Sequence, residues 1–348
     1  MPRFFQYLLA ILLLSSAVTS VADSDVESLQ SLLNKGDYAS VISQIKDIDK
    51  KTIEHFQLLI AAYAEKDLDD AEDAAEQAIE AFPNEYEVYL QHASIMGAQA
   101  SDSVFSALGY AKKALNSLNK AVELAPENAT TLSALMTFYI AAPSIAGGDL
   151  EEAQKLVLRI KEVDPTEGQF AEARFLRSDD KPEEAEALLL ELAQDSNAES
   201  HASFRAFREL GNLYSAQEDY DKAITYLQKA SDVEIAKPPL DADEEASDEY
   251  ESMLSQQAYA TYAIGRTAIE SKSHNQEGVA ALTRYISIIE NAQYSIAGLP
   301  SADWAKLRMT ELQLNMDDGE GATATFDSIE VENDKNFEKI YKKLKRKL

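Results

Sequence analysis

An all-α fold of repeated helix hairpins is predicted by three observations. Glycine and proline are scarce, 12 and 9 in 348 residues, and Ala, Leu, Glu and Lys are plentiful, which favours helix throughout. No run of alternating β-branched residues bounded by Gly or Pro reads as a strand. Second, residues 204–231 (FRAFRELGNLYSAQEDYDKAITYLQKAS) hold two short helical patterns across a polar turn. Phe207, Leu210, Gly211 and Tyr214 share one face of the first, and Tyr220, Ala223, Leu227 and Ala230 one face of the second. Third, Pro83, Pro126 and Pro165 each follow a second helix, where the chain must stop before re-entering. Their spacings are 43 and 39 residues, and both become 34 once insertions of nine and five are removed.

That period, the aromatic–Leu–Gly–x2–Tyr first helix and the Ala–x3–large–x2–Ala second helix resemble the tetratricopeptide repeat family. Ile235 stands where the family has its closing proline. The resemblance implies a right-handed α-solenoid of about eight helix hairpins with a C-terminal capping helix. It also implies that the first helix of each hairpin lines a concave face.

The elements follow in order. Residues 1–22 read as a secretory signal peptide: Arg3, an apolar run from Phe4 to Leu14, and Ser20-Val21-Ala22 before Asp23. The run is too short to span a membrane. No cysteine is present, which excludes lipoprotein anchoring, disulfides and thiol chemistry. A periplasmic location is expected.

The first array spans 23–236. Copy one (24–51) carries Leu29, Leu32, the turn Gly36-Asp37-Tyr38, Val41 and Ile45. Copy two (52–85) carries Leu58, Leu68, Ala71, Ala75 and Ala78. Copy three (86–128) carries Tyr89, Met96, Ala114, Leu118 and Ala121, with an insertion around Ser101-Asp102-Ser103. Copy four (129–167) carries Leu132, Leu135, Tyr139, Ala153, Val157 and Ile160, its turn lengthened by Pro143–Gly148. Copy five (166–199) carries Ala173, Leu176, Ala185, Leu189 and Leu192, and copy six is the 204–231 unit. An acidic connector loop is expected at 237–249. Hairpins resume over 250–333, with Ile264, Gly265, Ala268, Ala281 and Tyr285 in copy seven and Trp304, Leu307, Ala322 and Phe326 in copy eight. A basic helix over 334–348 would cap the array.

Net charge is −29, so most of the surface repels nucleic acid and anionic lipid. The exception is 338–348, with six basic residues and one acidic. Phe337, Ile340, Tyr341 and Leu344 at helical spacing there offer either peripheral membrane contact or packing on the last repeat.

No catalytic constellation is present. His55, His92, His201 and His274 lack metal-ligand spacing, and G-x-S-x-G, P-loop and H-E-x-x-H are absent. Gly147-Gly148 reads as a turn needing positive φ. Asp317-Asp318-Gly319-Glu320 and 241–249 match no EF-hand loop. No enzyme activity, metal or cofactor is expected.

The resemblance implies ligand contacts at repeat positions 2, 5, 9, 12 and 13. Copy two puts Ile53, Phe56, Ile60 and Tyr63 there, and copy four Thr130, Ser133 and Thr137. Copy five puts Phe170, Arg174 and Arg177 there; copy six Arg205, Arg208 and Asn212; copy seven Tyr259, Tyr262 and Arg266. Five arginines on one surface of so acidic a chain suit an acidic segment or C-terminal carboxylate of a protein or peptide partner, with tyrosines stacking alongside. The alternative is that the same arginines only neutralise acidic residues on neighbouring helices. The expected function is a non-enzymatic exported binding module or scaffold. Alternatives are a component handling a small organic anion for an envelope transporter, and an assembly scaffold using its convex face and basic tail.

Overall fold

The computed structural model describes residues 22–34, 36–102, 106–194, 200–239, 244–292, 294, 296, 298–332 and 334–348. The expected signal peptide lies outside these residues up to position 21. Among the described residues there is no strand. The chain divides into two compact units at the Ala185/Glu186 boundary, ahead of the break in repeat pattern at 237–249.

The first unit holds α1 (Ala22–Asn34), α2 (Tyr38–Lys46), α3 (Ile53–Ala64), α4 (Leu68–Ala81), α5 (Tyr86–Asp102), α6 (Ala107–Leu124), α7 (Ala129–Ala141), α8 (Leu150–Val163) and α9 (Pro165–Ser178). Helix α10 (Pro182–Gln194) carries the boundary. The second unit holds α11 (Ser200–Ala216), α12 (Tyr220–Ser231), α13 (Glu244–Ser271), α14 (Asn275–Asn291), α15 (Ala302–Asn315), α16 (Gly319–Asp327) and α17 (Lys335–Leu344). Each unit is a solenoid of helix hairpins: successive helices pack on one another from α1 to α9 and from α11 to α16, and α17 packs on α15.

Seven aspartates serve helix starts. Asp37, Asp67, Asp149, Asp164, Asp219, Asp318 and Asp334 each accept an N–H from the first turn of the following helix, satisfying donors that have no intrahelical partner and complementing the helix dipole. Five of the hairpin turns have a left-handed residue after the first helix: Gly36, Asp180, Glu218, Lys272 and Asp317 have φ between 54° and 73°, which ends a helix by turning the chain back.

Three sequence expectations change. The insertion of copy three is absorbed as helix, since α5 has 17 residues and α6 has 18; only 103–105 fall outside the described residues. The acidic connector is shorter than 237–249, because α13 begins at Glu244 and runs 28 residues. Glutamates at a helix start are favoured by the dipole, so an acidic run there need not be a loop. The surface expected from copy two is core: Phe56 and Ile60 are buried beside Leu29 and Leu33 of α1, in the same cluster. The turn of copy four is as read, with Gly147 at φ 102°.

Close helix contact depends on small residues. A Cβ on Gly211 would lie 2.7 Å from Leu227 Cγ, and one on Gly265 2.4 Å from Leu282 Cγ. Gly265→Ala is therefore expected to destabilise the second unit by about 1–3 kcal/mol through overpacking, measured as a lower urea midpoint.

His92 is buried, and its Nδ1 lies 2.8 Å from Ser117 Oγ on α6. Burial pushes its pKa down, opposed by the Glu72 charge and assisted by Lys113. A folded-state pKa below the unfolded value near 6.5 means the unfolded chain takes up the proton first. Stability from this group is complete above pH 6.5 and is lost as pH falls from there through the folded value. His92→Gln is expected to flatten the pH dependence of the thermal midpoint in that window.

Candidate peptide-binding surface

In the first unit, the exposed side of α7 and α9 is polar. Ser133 Oγ donates to Glu167 Oε1 at 3.1 Å, and Arg174 Nη1 donates to Thr137 Oγ1 at 3.3 Å. Thr130 is half-buried on the same face of α7, and Arg177 is half-buried near the end of α9. Phe170 is buried and belongs to the packing rather than to an open groove.

In the second unit, Arg208 ties two first helices together. Its Nη1 donates to Gln256 Oε1 of α13 at 2.7 Å, Nη2 lies 3.7 Å from Glu209, and the guanidinium sits over the Phe204 ring. Arg205 is half-buried and Asn212 exposed on the same helix. Neutralisation by a neighbouring carboxylate therefore accounts for part of Arg208's placement.

The tightest grouping lies further along. Arg266 Nη1 donates to the Tyr259 hydroxyl at 3.2 Å, and the rings of Tyr259 and Tyr262 lie 6.2 Å apart. Tyr262 in turn packs 5.1 Å from Tyr285, whose hydroxyl donates to the Pro300 carbonyl at 2.5 Å. With 4 % of its surface exposed, Tyr262 cannot stack on a peptide as the sequence suggested. On α13 it faces α14, so the ring is core and only its hydroxyl reaches the polar side. Burial pushes that phenol up, opposed by the charge and hydrogen bond of Arg308 and by the charge of Arg266. Arg308 also lies over the Trp304 ring at 5.5 Å and 3.5 Å from Glu311.

Arg266, bonded to Tyr259, and Arg308, lying over Trp304, thus both act on the buried Tyr262 hydroxyl, with Glu311 beside Arg308 and the Glu332 charge also felt there. Arginine pairs of this kind suit a carboxylate, which accepts their N–H groups in a planar, two-pronged geometry. Sequence reasoning missed Arg308 because copy eight departs from the repeat pattern, leaving the register of α15 open. The available signal was Trp304-x3-Arg308, one turn apart on a helix.

The basic tail packs inward. Phe337 and Leu344 are fully buried beside Leu307, Phe326 and Trp304, Tyr341 stacks 4.4 Å from Phe326, and Lys343 reaches Glu311 at 3.2 Å. The apolar stripe packs on the last hairpin, with Phe337 and Leu344 buried and Ile340 and Tyr341 half-buried. No helix among the described residues is long and apolar enough to cross a membrane, and no three His, Cys, Asp or Glu side chains among them group as a metal site.

Residues 103–128 and 205–234 match the tetratricopeptide repeat. No protein of curated function matches the sequence. Among solved structures, the chain is similar to PilW, described as a widely conserved type IV pilus biogenesis factor, at 14% identity, covering 71% of this chain and 97% of that one, with a TM-score of 0.42. PilF of Pseudomonas aeruginosa gives 15% identity, 81% and 100% coverage, and a TM-score of 0.40. A tetratricopeptide repeat protein of Parabacteroides merdae gives 15%, 88% and 98%, and 0.37.

Proposed function

We propose that this chain of tetratricopeptide repeats is an exported, non-enzymatic scaffold that holds a partner protein by a carboxylate-bearing segment. The repeats support a protein-interaction role. The observation that carries the finer reading is Arg266 held by the Tyr259 hydroxyl beside the Tyr262 ring, with Arg308 over Trp304 acting on the same buried phenol. Arg205, Arg208 and Asn212 on α11 extend the seat within the second unit, and Arg174 and Arg177 act in the first. The apolar run, Arg3 and the small residues before Asp23 favour export to the periplasm. The partner is a protein or peptide with an acidic or C-terminal carboxylate, and no nucleic acid, metal or cofactor takes part.

The reading is tested by capture from envelope extract with the wild-type protein beside an Arg266→Glu/Arg308→Glu variant of matched helicity. A partner retained by the first and lost by the second supports it. Identical capture by both removes the arginine seat from the account. Because the seat is charged, affinity is also expected to fall as salt rises from about 50 to about 500 mM, where the Debye length shrinks to a few ångströms.

A further inference from the structure

Helix α17 has two faces of opposite chemistry. Phe337 and Leu344 bury one against the last hairpin, where Tyr341 stacks on Phe326. Lys339, Lys342 and Lys343 share the other: at 100° per residue they are turned about 100–160° from the buried pair. All three are exposed, and Lys345, Arg346 and Lys347 follow in an exposed turn. Lys342 reaches Glu338 at 2.5 Å and Lys343 reaches Glu311 at 3.2 Å, both side chains still more than half exposed. Among the described residues no carboxylate pairs with Lys339, Lys345, Arg346 or Lys347. The chain of net charge −29 thus gathers six cations and one acid into positions 338–348. A helix dipole favours a cation or two in the last turn, not six.

We propose that this outer face of α17 rests on the anionic surface of a lipid bilayer. Six like charges in so short a segment repel one another, and an anionic counter-surface relieves that repulsion. The make-up of the face decides which anion. A protein interface is built round apolar and aromatic anchors and is depleted in lysine. Here the aromatic side chains are turned inward and the outer face is mostly lysine. Lysine is a flexible, strongly hydrated point charge with no demand on shape, which suits a fluid layer of headgroup phosphates. Contact is electrostatic, as for a polybasic patch, and leaves the apolar stripe packed. The acidic body does not forbid it, because charges beyond a Debye length of about 10 Å are screened at roughly 0.1 M salt. The face uses other residues than the arginine seat, so either can fail without the other.

Co-sedimentation with vesicles of equimolar phosphatidylglycerol and phosphatidylcholine, beside vesicles of phosphatidylcholine alone, tests the face. The protein is expected to bind the anionic vesicles in excess over the neutral ones and to be released at high salt. Lys339→Glu/Arg346→Glu should weaken that excess at least about tenfold, since each cation near such a surface contributes roughly fivefold. Lys345→Glu/Lys347→Glu, placed beyond the helix, should do the same without touching its packing. Lys112→Glu/Lys155→Glu makes an equal change in net charge at exposed positions of the first unit and should leave binding within about twofold. Trp304, edge-on to Phe337 at 5.2 Å, should keep its emission when vesicles are added. Equal losses in the tail and first-unit variants would reduce the effect to overall charge and overturn the proposal. So would no preference for anionic vesicles, or a shift of Trp304 emission on binding, which means that the apolar stripe has left its packing. Binding of soluble polyglutamate without binding of vesicles would also overturn it, and would assign the face to an acidic protein.

Discussion

Phe337→Ala is expected to lower the stability of the last hairpin by about 3–5 kcal/mol, the cost of deleting a fully buried aromatic ring. Phe337 is fully buried, edge-on to Trp304 at 5.2 Å, and it shares a cluster with Leu307, Phe326 and Leu344. Solenoids rely on terminal elements to close an otherwise exposed apolar face, and α17 does this with one side while turning its lysines outward. Trp304 is the only tryptophan, so its emission reports directly on this contact. The variant should show red-shifted fluorescence and a lower urea midpoint by that probe. Lys342→Ala, which breaks only an exposed pair with Glu338, should change stability by less than about 1 kcal/mol. If the two substitutions were equally mild, α17 would not be a packed cap.

The second large effect concerns binding. Replacing Arg266 and Arg308 together by alanine is expected to weaken the hold on a carboxylate-terminated peptide by two orders of magnitude or more, since each charge-assisted contact contributes roughly 1.5–3 kcal/mol. The single Arg308→Ala change should lose about tenfold or more on the same scale. Tyr259→Phe removes the hydroxyl that accepts from Arg266 while keeping the wall, so a smaller loss is expected. These comparisons separate orientation of the guanidinium from its charge.

The repeat architecture was legible because its physics is local. Small residues at Gly211 and Ala223, large ones at Tyr214 and Leu227, and acidic caps such as Asp219 fix a hairpin within thirty-odd residues. The capping role of 334–348 could be read from the apolar stripe, but choosing it over lipid contact needed the position of Phe326 and Trp304. Helix lengths were less legible: acidic residues 244–249 favour both a solvated loop and the first turns of a helix. The surface residues were hardest. Repeat positions place Tyr262 on the concave side, yet its ring packs on Tyr285. Arg308 escaped because its meaning comes from a tyrosine forty-six residues earlier in the chain, a contact no local pattern encodes.

The carboxylate seat is the central claim, and one measurement addresses it most directly. A library of random peptides with free C-terminal carboxylates, and the same library amidated, would be bound to the wild-type protein and to Arg266→Ala/Arg308→Ala. The account predicts enrichment of free-acid peptides by the wild type, with that preference abolished in the double variant although its helicity is unchanged. Equal enrichment of acid and amide peptides, or a preference that survives the loss of both arginines, would contradict it.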